Sequence, residues 1–467
     1  MSFAEETAAF LTAHAERPLP ETAARLATDA ITDAIGCIAL GAGEELEGPL
    51  RDAVFGEGAT AKKVAGDLSG GSADRAQSLC LYLGTLAHAA DFDDISHPAY
   101  CHPTAVLLPP LLLRGAALHC SGATLLSAHV AGIEVLGQLG RRLNMDHYRR
   151  GWHATGTFGA IGATAALALL EDLPEGRIVH ALGIAASMAS GLRQNFGTPT
   201  KPLHAGLAGR TALLATELAK SGFTSSRNAI DGDNGFVSTY GGAPGIAEPK
   251  PWGAPLEILT ENGIALKAYP SCAATHAAVD ATLACRAELG APAPEAVKRI
   301  RVGASRHALQ PLIHDWPDTP LEAKFSMRHC VAAAFLDGML GLGSFAPDMI
   351  RRPDLHTTME TAVTEIDPRV AENPEFAAVV RVELHDGRVA EHQVDVASGK
   401  PGNWLSAGKL AAKFDQCAPG AEHIRTMALG LADLADVAPL LDALAQYLQG
   451  ALGASNDTAA RATGTGQ

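Results

Sequence analysis

The chain has 467 residues, 47% of them hydrophobic and 19% charged, with a formal net charge of -15. That balance excludes a disordered protein and argues against a nucleic-acid partner, whose phosphates an acidic chain repels. An anionic substrate would have to meet a local concentration of Lys, Arg and His, so the placement of a few basic residues is informative.

The length points to two or three domains. Residues from Pro20 to Leu40 show helical spacing, with Ala27, Ala30, Ile31, Ala34, Ile35 and Ile38 on one face and Gly41 and Gly43 as the stop. The turn-rich GDLSGGSADRAQ leads into a helix from about Ala73, which runs into His88–Pro103, HAADFDDISHPAYCHP. There Asp91, Asp93 and Asp94 stand among His88, His97 and His102 inside apolar, Ala-rich sequence. Charged groups cluster in such surroundings when they are paired or used, and a pocket would shift their pKa values. The same letters also serve as plain helix–loop punctuation.

Pro103 starts a further apolar helix, and Ser121 to Arg141 reads as another. GWHATGTFGAIGATAALALL follows from Gly151, with Gly156, Gly159 and Gly162 three apart. No strand precedes it, so it is not a dinucleotide fingerprint; small residues at this spacing read as close helix packing. His153 is its only titratable residue. Helices are expected over Ile178–Ser190 and Ala205–Ser221, with the loop GLRQNFGTPTKPLHAG between them.

The texture changes after about Gly263. KAYPSC is a loop entering a helix, and AVKRIRVGAS alternates Ile300 and Val302 with charged neighbours, as a strand does. Ala323 to Gly338 reads as helix. AAVVRVELHDGRVAEHQVDV reads as a hairpin turning at Asp386-Gly387. From Ser406 to Leu448 the helical pattern returns. The expected fold is mainly α: a large all-helical domain (1–264 and 401–452) with an inserted smaller α+β lid domain (265–400). The remainder, 453–467, reads as a disordered tail.

None of the eight cysteines forms a C-x-x-C pair, so a zinc or redox motif has no support. No secretory signal opens the chain, and the longest apolar run, Ala105 to Leu113, is too short for a membrane span. A cytoplasmic protein with no membrane partner is the expectation.

Five loops carry the polar residues of interest: DFDDISHPAYCHP, GWHATG, KPLHAG, KAYPSC and AKFSMRHC. They supply Asp91, His102, His153, Lys201, His204, Lys267, Cys272 and His329, each at a helix junction, where several could converge on one cleft. Singly each has a bland reading. The lysines read as solvated, Cys272 as a small buried residue and His329 as packing. His88, Asp91, Asp93, Asp94 and His102 would also suit a divalent ion in a metal-dependent hydrolase. A non-enzymatic helical binding module is a third reading.

In this order the motifs resemble those of the MmgE/PrpD family over about residues 5–450. The matching pieces are DFDD with a following HP, G-x-H-x-T-G, K-x-x-H-A-G, K-x-Y-P, and A-K-F-S followed by FLDG. The resemblance implies a helical domain with an α+β lid, a homodimer and no obligatory cofactor. It implies proton movement beside a carboxylate of a small di- or tricarboxylate. Carried over by position, Asp91, His102, His153, Lys201 and Lys267 match the family's active-site residues, the lysines for carboxylate binding and the histidines for proton transfer. Cys272 stands where a His is expected, His329 where a Tyr is, and Ile95 and Ser96 replace a Thr. A thiolate beside Lys267 suits proton exchange. The expected catalytic set is therefore Asp91, His102, His153, Lys267 and Cys272, with Lys201, His204 and His329 binding substrate. Epimerisation of iminodisuccinate is the expected reaction, with 2-methylcitrate dehydration and cis-aconitate decarboxylation as alternatives.

Overall fold

The computed structural model describes residues 1–69, 75–241, 250–373 and 376–463, with the backbone alone over 454–463. It is mainly helical, 59% helix and 8% strand. The chain divides into two compact units, Met1–Ile264 with Ala407–Gln467, and Ala265–Ser406. Among the described residues no helix is long and apolar enough to cross a membrane.

The first unit is a helical body. Helix α1 (Phe3–Ala15) starts on a capping box between Ser2 and Glu5, and α2 (Glu21–Gly41) buries the face formed by Ala27, Ala30, Ile31, Ala34, Ile35 and Ile38. Then come α3 (Ala76–His88), α4 (Pro103–Ala117), α5 (Gly122–Leu143), α6 (Ala154–Leu170), α7 (Glu175–Met188) and α8 (Thr200–Lys220). Helix α6 is apolar all round and buried on nearly every side, as a central helix must be. Its glycines do the work that their spacing suggested. A Cβ at Gly159 would stand 3.0 Å from Val106 of α4, and one at Gly162 would stand 2.7 Å from Leu136 of α5. The turn-rich 66–77 stretch is partly helical, over Ala61–Ser69, and 70–74 lie outside the described residues.

The second unit is α+β. Strands β1 (Val297–Ala304), β2 (Ala362–Ile366), β3 (Ala378–Leu384) and β4 (Val389–Val394) form one sheet in the order β2-β1-β3-β4. Strand β1 runs parallel to β2 and antiparallel to β3, with Val302 opposite Val380. The inward face of Ile300, Val302, Val380 and Val382 packs with Ala277, Ala281 and Cys285 of α9 (His276–Glu288) and Val331 and Phe335 of α10 (Met327–Asp337). The expected strand and hairpin are both present. Strand β2 was not anticipated: it is a half-exposed edge with weak alternation. The helix expected over Ala323–Gly338 is broken at Phe325–Ser326, because Ser326 turns to cap α10 with its hydroxyl on the His329 amide.

The chain returns to the first unit as α11 (Ala407–Cys417), α12 (Glu422–Leu429) and α13 (Ala438–Thr463). The helical pattern expected over Ser406–Leu448 is present as these three helices, separated by Gly420 at φ 78° and a 3₁₀ turn at Leu431–Asp433. The stretch read as a tail is helical as far as Thr463, and 464–467 lie outside the described residues.

Candidate active site

The site in the first unit begins where α3 and α8 cross. Gly84 and Gly206 meet there: a Cβ on Gly84 would lie 2.8 Å from the Gly206 Cα, and one on Gly206 would lie 2.1 Å from the Leu81 carbonyl oxygen. The crossing is therefore closed to any larger residue. It carries His88, one turn past Gly84, to the N-terminal end of α8, which holds Lys201 in its first turn and His204 just after it. The KPLHAG segment, expected as a loop, is thus helical. Its proline sits in the first turn, where a missing N–H is tolerated.

Two more helix N-termini complete the site. His102 is the N-cap of α4 and His153 the N-cap of α6, and neither spends its side chain on capping. Thr155 in the first turn of α6 accepts the His102 amide at 3.1 Å, which ties the two starts together. Three helix starts aimed at one place favour negative charge there.

Lys201 Nζ donates to Asp91 Oδ1 at 2.6 Å. Asp91 has φ 55°, a left-handed backbone uncommon outside glycine. Asp93 lies between two imidazoles, 3.0 Å from His88 Nδ1 and 3.2 Å from His102 Nδ1. His102 Nε2 stands 3.7 Å from Asp91 Oδ1. The His88 and His102 ring centres are 4.2 Å apart, and His153 Nδ1 lies 2.9 Å from His204 Nδ1. Behind this layer Asp94 accepts the Thr104 amide and hydroxyl, and the Thr104 hydroxyl also meets His129 Nε2 at 2.9 Å. The whole loop is pinned by α11: Lys413 donates to Asp33 of α2 and to the Phe92 carbonyl oxygen at 2.7 Å.

Burial sets the protonation pattern. It lowers His88 to about 4, the Asp93 charge offsetting only part of the effect. Burial alone would raise Asp93, but His88 and His102 together hold that carboxyl far below the usual range. Burial, with the Asp93 charge beside it, pushes Asp94 up to about 8 against its bonds from Thr104. Burial and then the charges of His88 and Lys201 hold His153 well below its ordinary value and His204 at about 4. His153 and His204 are then neutral at pH 7 and share one proton across their Nδ1 pair.

Asp91, His102, His153, Lys201 and His204 are thus brought together, all buried. Lys267, Cys272 and His329 belong to the second unit. There Lys267 is buried, the Cys272 amide donates to Lys324 O at 2.9 Å, and His329 Nε2 lies 3.1 Å from Ser344 O on the buried side of α10. Sequence reasoning placed Asp93 and His88 in the titratable cluster and among possible metal ligands but in no catalytic or binding role, and it gave no part to Thr155 or to Phe196, whose ring packs edge-on against that of His153. Asp93 was signalled by the doubled acid in DFDD; Phe196 had no signal at all. The ligand atoms of His88, Asp91, Asp93 and His102 lie within 4.8 Å of one another, so this set could also hold a metal ion.

The MmgE/PrpD N-terminal domain model matches residues 5–248, and the MmgE/PrpD C-terminal domain model matches residues 269–428. This chain belongs to the MmgE/PrpD family. The cis-aconitate decarboxylase of Mus musculus is 30% identical over 384 residues, 76% of this chain and 76% of its own. The Homo sapiens cis-aconitate decarboxylase is 31% identical over 352 residues, 71% and 70% of the two chains. That of Aspergillus terreus is 23% identical over 391 residues, 76% and 78%. This MmgE/PrpD protein is accordingly an enzyme of the isomerase or lyase type that the family comprises.

Proposed function

We propose that this enzyme is a lyase that decarboxylates cis-aconitate or a near tricarboxylate analogue. The observation that carries this reading is the convergence of Lys201, His102, His153 and His204 around Asp91, in a chain whose relatives are named as decarboxylases. The expected epimerisation of iminodisuccinate draws on the same proton-handling groups but has no such relative behind it, so it stands second.

The chemistry needs a cation and an acid. In cis-aconitate the departing carboxylate sits on the methylene beside the double bond. Its C–C bond breaks, CO₂ leaves, and the freed electron pair forms a new double bond to the central carbon. The old double bond's pair takes one proton at the far carbon, giving itaconate. Lys201 would bind a carboxylate and stabilise the charge that develops as CO₂ departs. Carboxylates entering beside His153 and His204 oppose the desolvation that keeps the pair neutral. The pair then gains a proton on binding and holds it for transfer. Asp93 would fix the ring of His102, so that its Nε2 faces the substrate beside Asp91.

A metal-dependent reading of the His88–Asp91–Asp93–His102 set competes with Lys201, which already places a positive charge on Asp91. The direct test is NMR in deuterated water, with cis-aconitate, iminodisuccinate and 2-methylcitrate offered separately. Itaconate carrying one deuterium is the expected product. Deuterium exchange with interconverting iminodisuccinate diastereomers, and no reaction of cis-aconitate, would replace the decarboxylase reading by the epimerase one.

A further inference from the structure

The loop before α8 is zipped to the segment that carries His153. Trp152 bridges Leu192 in antiparallel fashion, the Arg193 amide donates to Gly151 O at 2.8 Å, and the His153 amide donates to Gly191 O at 3.0 Å. One short ladder therefore fixes Arg193 and His153 in a common register. The loop then turns through Arg193–Asn195 to Phe196, whose ring meets the His153 ring edge-on with centres 4.9 Å apart.

Two cations share that phenyl ring. Lys201 Nζ is 5.3 Å from its centre and the Arg193 guanidinium carbon is 5.8 Å from it. The charges are therefore no farther apart than the sum of those distances. A short dicarboxylate held at each end by an N–H···O contact of about 2.8 Å has that reach. Arg193 is already oriented: its guanidinium lies 3.5 Å over the Tyr148 ring and donates through Nη1 to Tyr148 O at 2.7 Å. Its Nε is buried with no hydrogen-bond partner among the described residues, so the pairing of the group is incomplete there. Arg193, Arg150, Gly151, Leu192, Gln194 and Phe196 line a cavity of about 500 Å³, a size suited to a small ligand, with two arginines and, among the described residues, no carboxylate in the wall.

We propose that Arg193 is a second carboxylate-binding point, which holds a carboxylate remote from the one at Lys201 and so selects di- and tricarboxylates over monocarboxylates. The proposal rests on the carboxylate-binding reading of the Lys201 site. A guanidinium stacked in advance on an aromatic face loses little freedom on pairing, and its planar fork suits a carboxylate better than an ammonium does.

The test is binding of tricarballylate, an unreactive tricarboxylate, and of butyrate to the full-length protein by calorimetry, with wild type, R193Q and R193K. Wild type is expected to prefer tricarballylate. R193Q should lower tricarballylate affinity by roughly tenfold to a hundredfold, the range of a lost charge-assisted pair. Butyrate affinity should stay unchanged, and R193K should recover part of the loss. Wild-type preference that survives intact in R193Q would overturn the role of Arg193 alone. Equal weakening of both ligands would do the same, since it would mark Arg193 as support for the loop. Wild type that binds neither ligand would overturn the carboxylate reading itself, and the two failures are thereby told apart.

Discussion

Lys201 and Asp91 stand 110 positions apart in sequence, yet their side chains meet at 2.6 Å with both residues under 10% exposed. Neither charge is stable there without the other, because removing one partner of a buried pair leaves the other uncompensated. In the proposed reaction Lys201 also meets the substrate, so stability and activity separate under mutation. K201Q should lose about 3–5 kcal/mol of stability and roughly 100-fold to 1000-fold in kcat. The double variant D91N/K201Q should regain most of the stability and none of the activity. Denaturant unfolding and steady-state kinetics on the same preparations check this; recovery of activity in the double variant would show that Lys201 is only structural.

Asp93 acts through its neighbours. Its carboxylate lies within 3.2 Å of His88 and of His102, and an amide in its place cannot accept from both rings in the same way. D93N is expected to lower kcat by roughly 100-fold with a small change in KM, and to move the acid limb of the kcat profile. A variant with a normal pH profile and merely reduced stability would assign Asp93 a packing role.

Buried histidines make the stability of the fold depend on pH. Burial lowers His129 to about 3 and His88, His147, His204 and His329 to about 4, all from an ordinary 6.5. Between pH 6.5 and 4 the unfolded chain binds protons that the native state refuses, so stability falls as pH falls through that window. Asp94 works the other way: its carboxyl is raised from 3.8 to about 8, so its contribution is present at low pH and is lost as pH rises through 8. Burial raises Asp33 to about 6 and also raises Asp29, so both act in the same sense as Asp94, but five histidines outweigh these three carboxyls on the acid side. The melting temperature should peak near pH 6.5, fall steeply towards pH 4.5 and decline gently towards pH 8. A calorimetric series that is flat from pH 6.5 to 4.5 contradicts this assignment of neutral histidines.

Cys272 separates the two proton chemistries. If the enzyme is a decarboxylase that draws its proton from His153 and His204, C272S should keep cis-aconitate turnover within a few-fold of wild type. If a thiolate removes or returns a proton in epimerisation, the same variant should lose two orders of magnitude or more. One substitution assayed on both substrates decides between them.

Much of this enzyme was legible in local sequence. An apolar face at helical spacing gave α2, a stretch with few charges gave α5, small residues with glycines three apart gave the close-packed α6, and alternation around Asp386-Gly387 gave the hairpin β3–β4. The titratable residues concentrated in His88–Pro103 also stood out, because acids and histidines in an Ala-rich stretch are conspicuous without any knowledge of the fold. These are properties of neighbouring residues, set by backbone periodicity and by composition.

What the tertiary structure decided is who meets whom. The approach of Gly84 to Gly206, the sharing of one proton by His153 and His204, and the common ring of Phe196 beneath Lys201 and Arg193 all join residues from separate helices and loops. The half-exposed edge strand β2 likewise depends on its pairing with β1, a partner distant in sequence. Side-chain periodicity encodes which face of an element is buried. The partner of that face, and hence the field that sets each buried pKa, is fixed only when the elements pack.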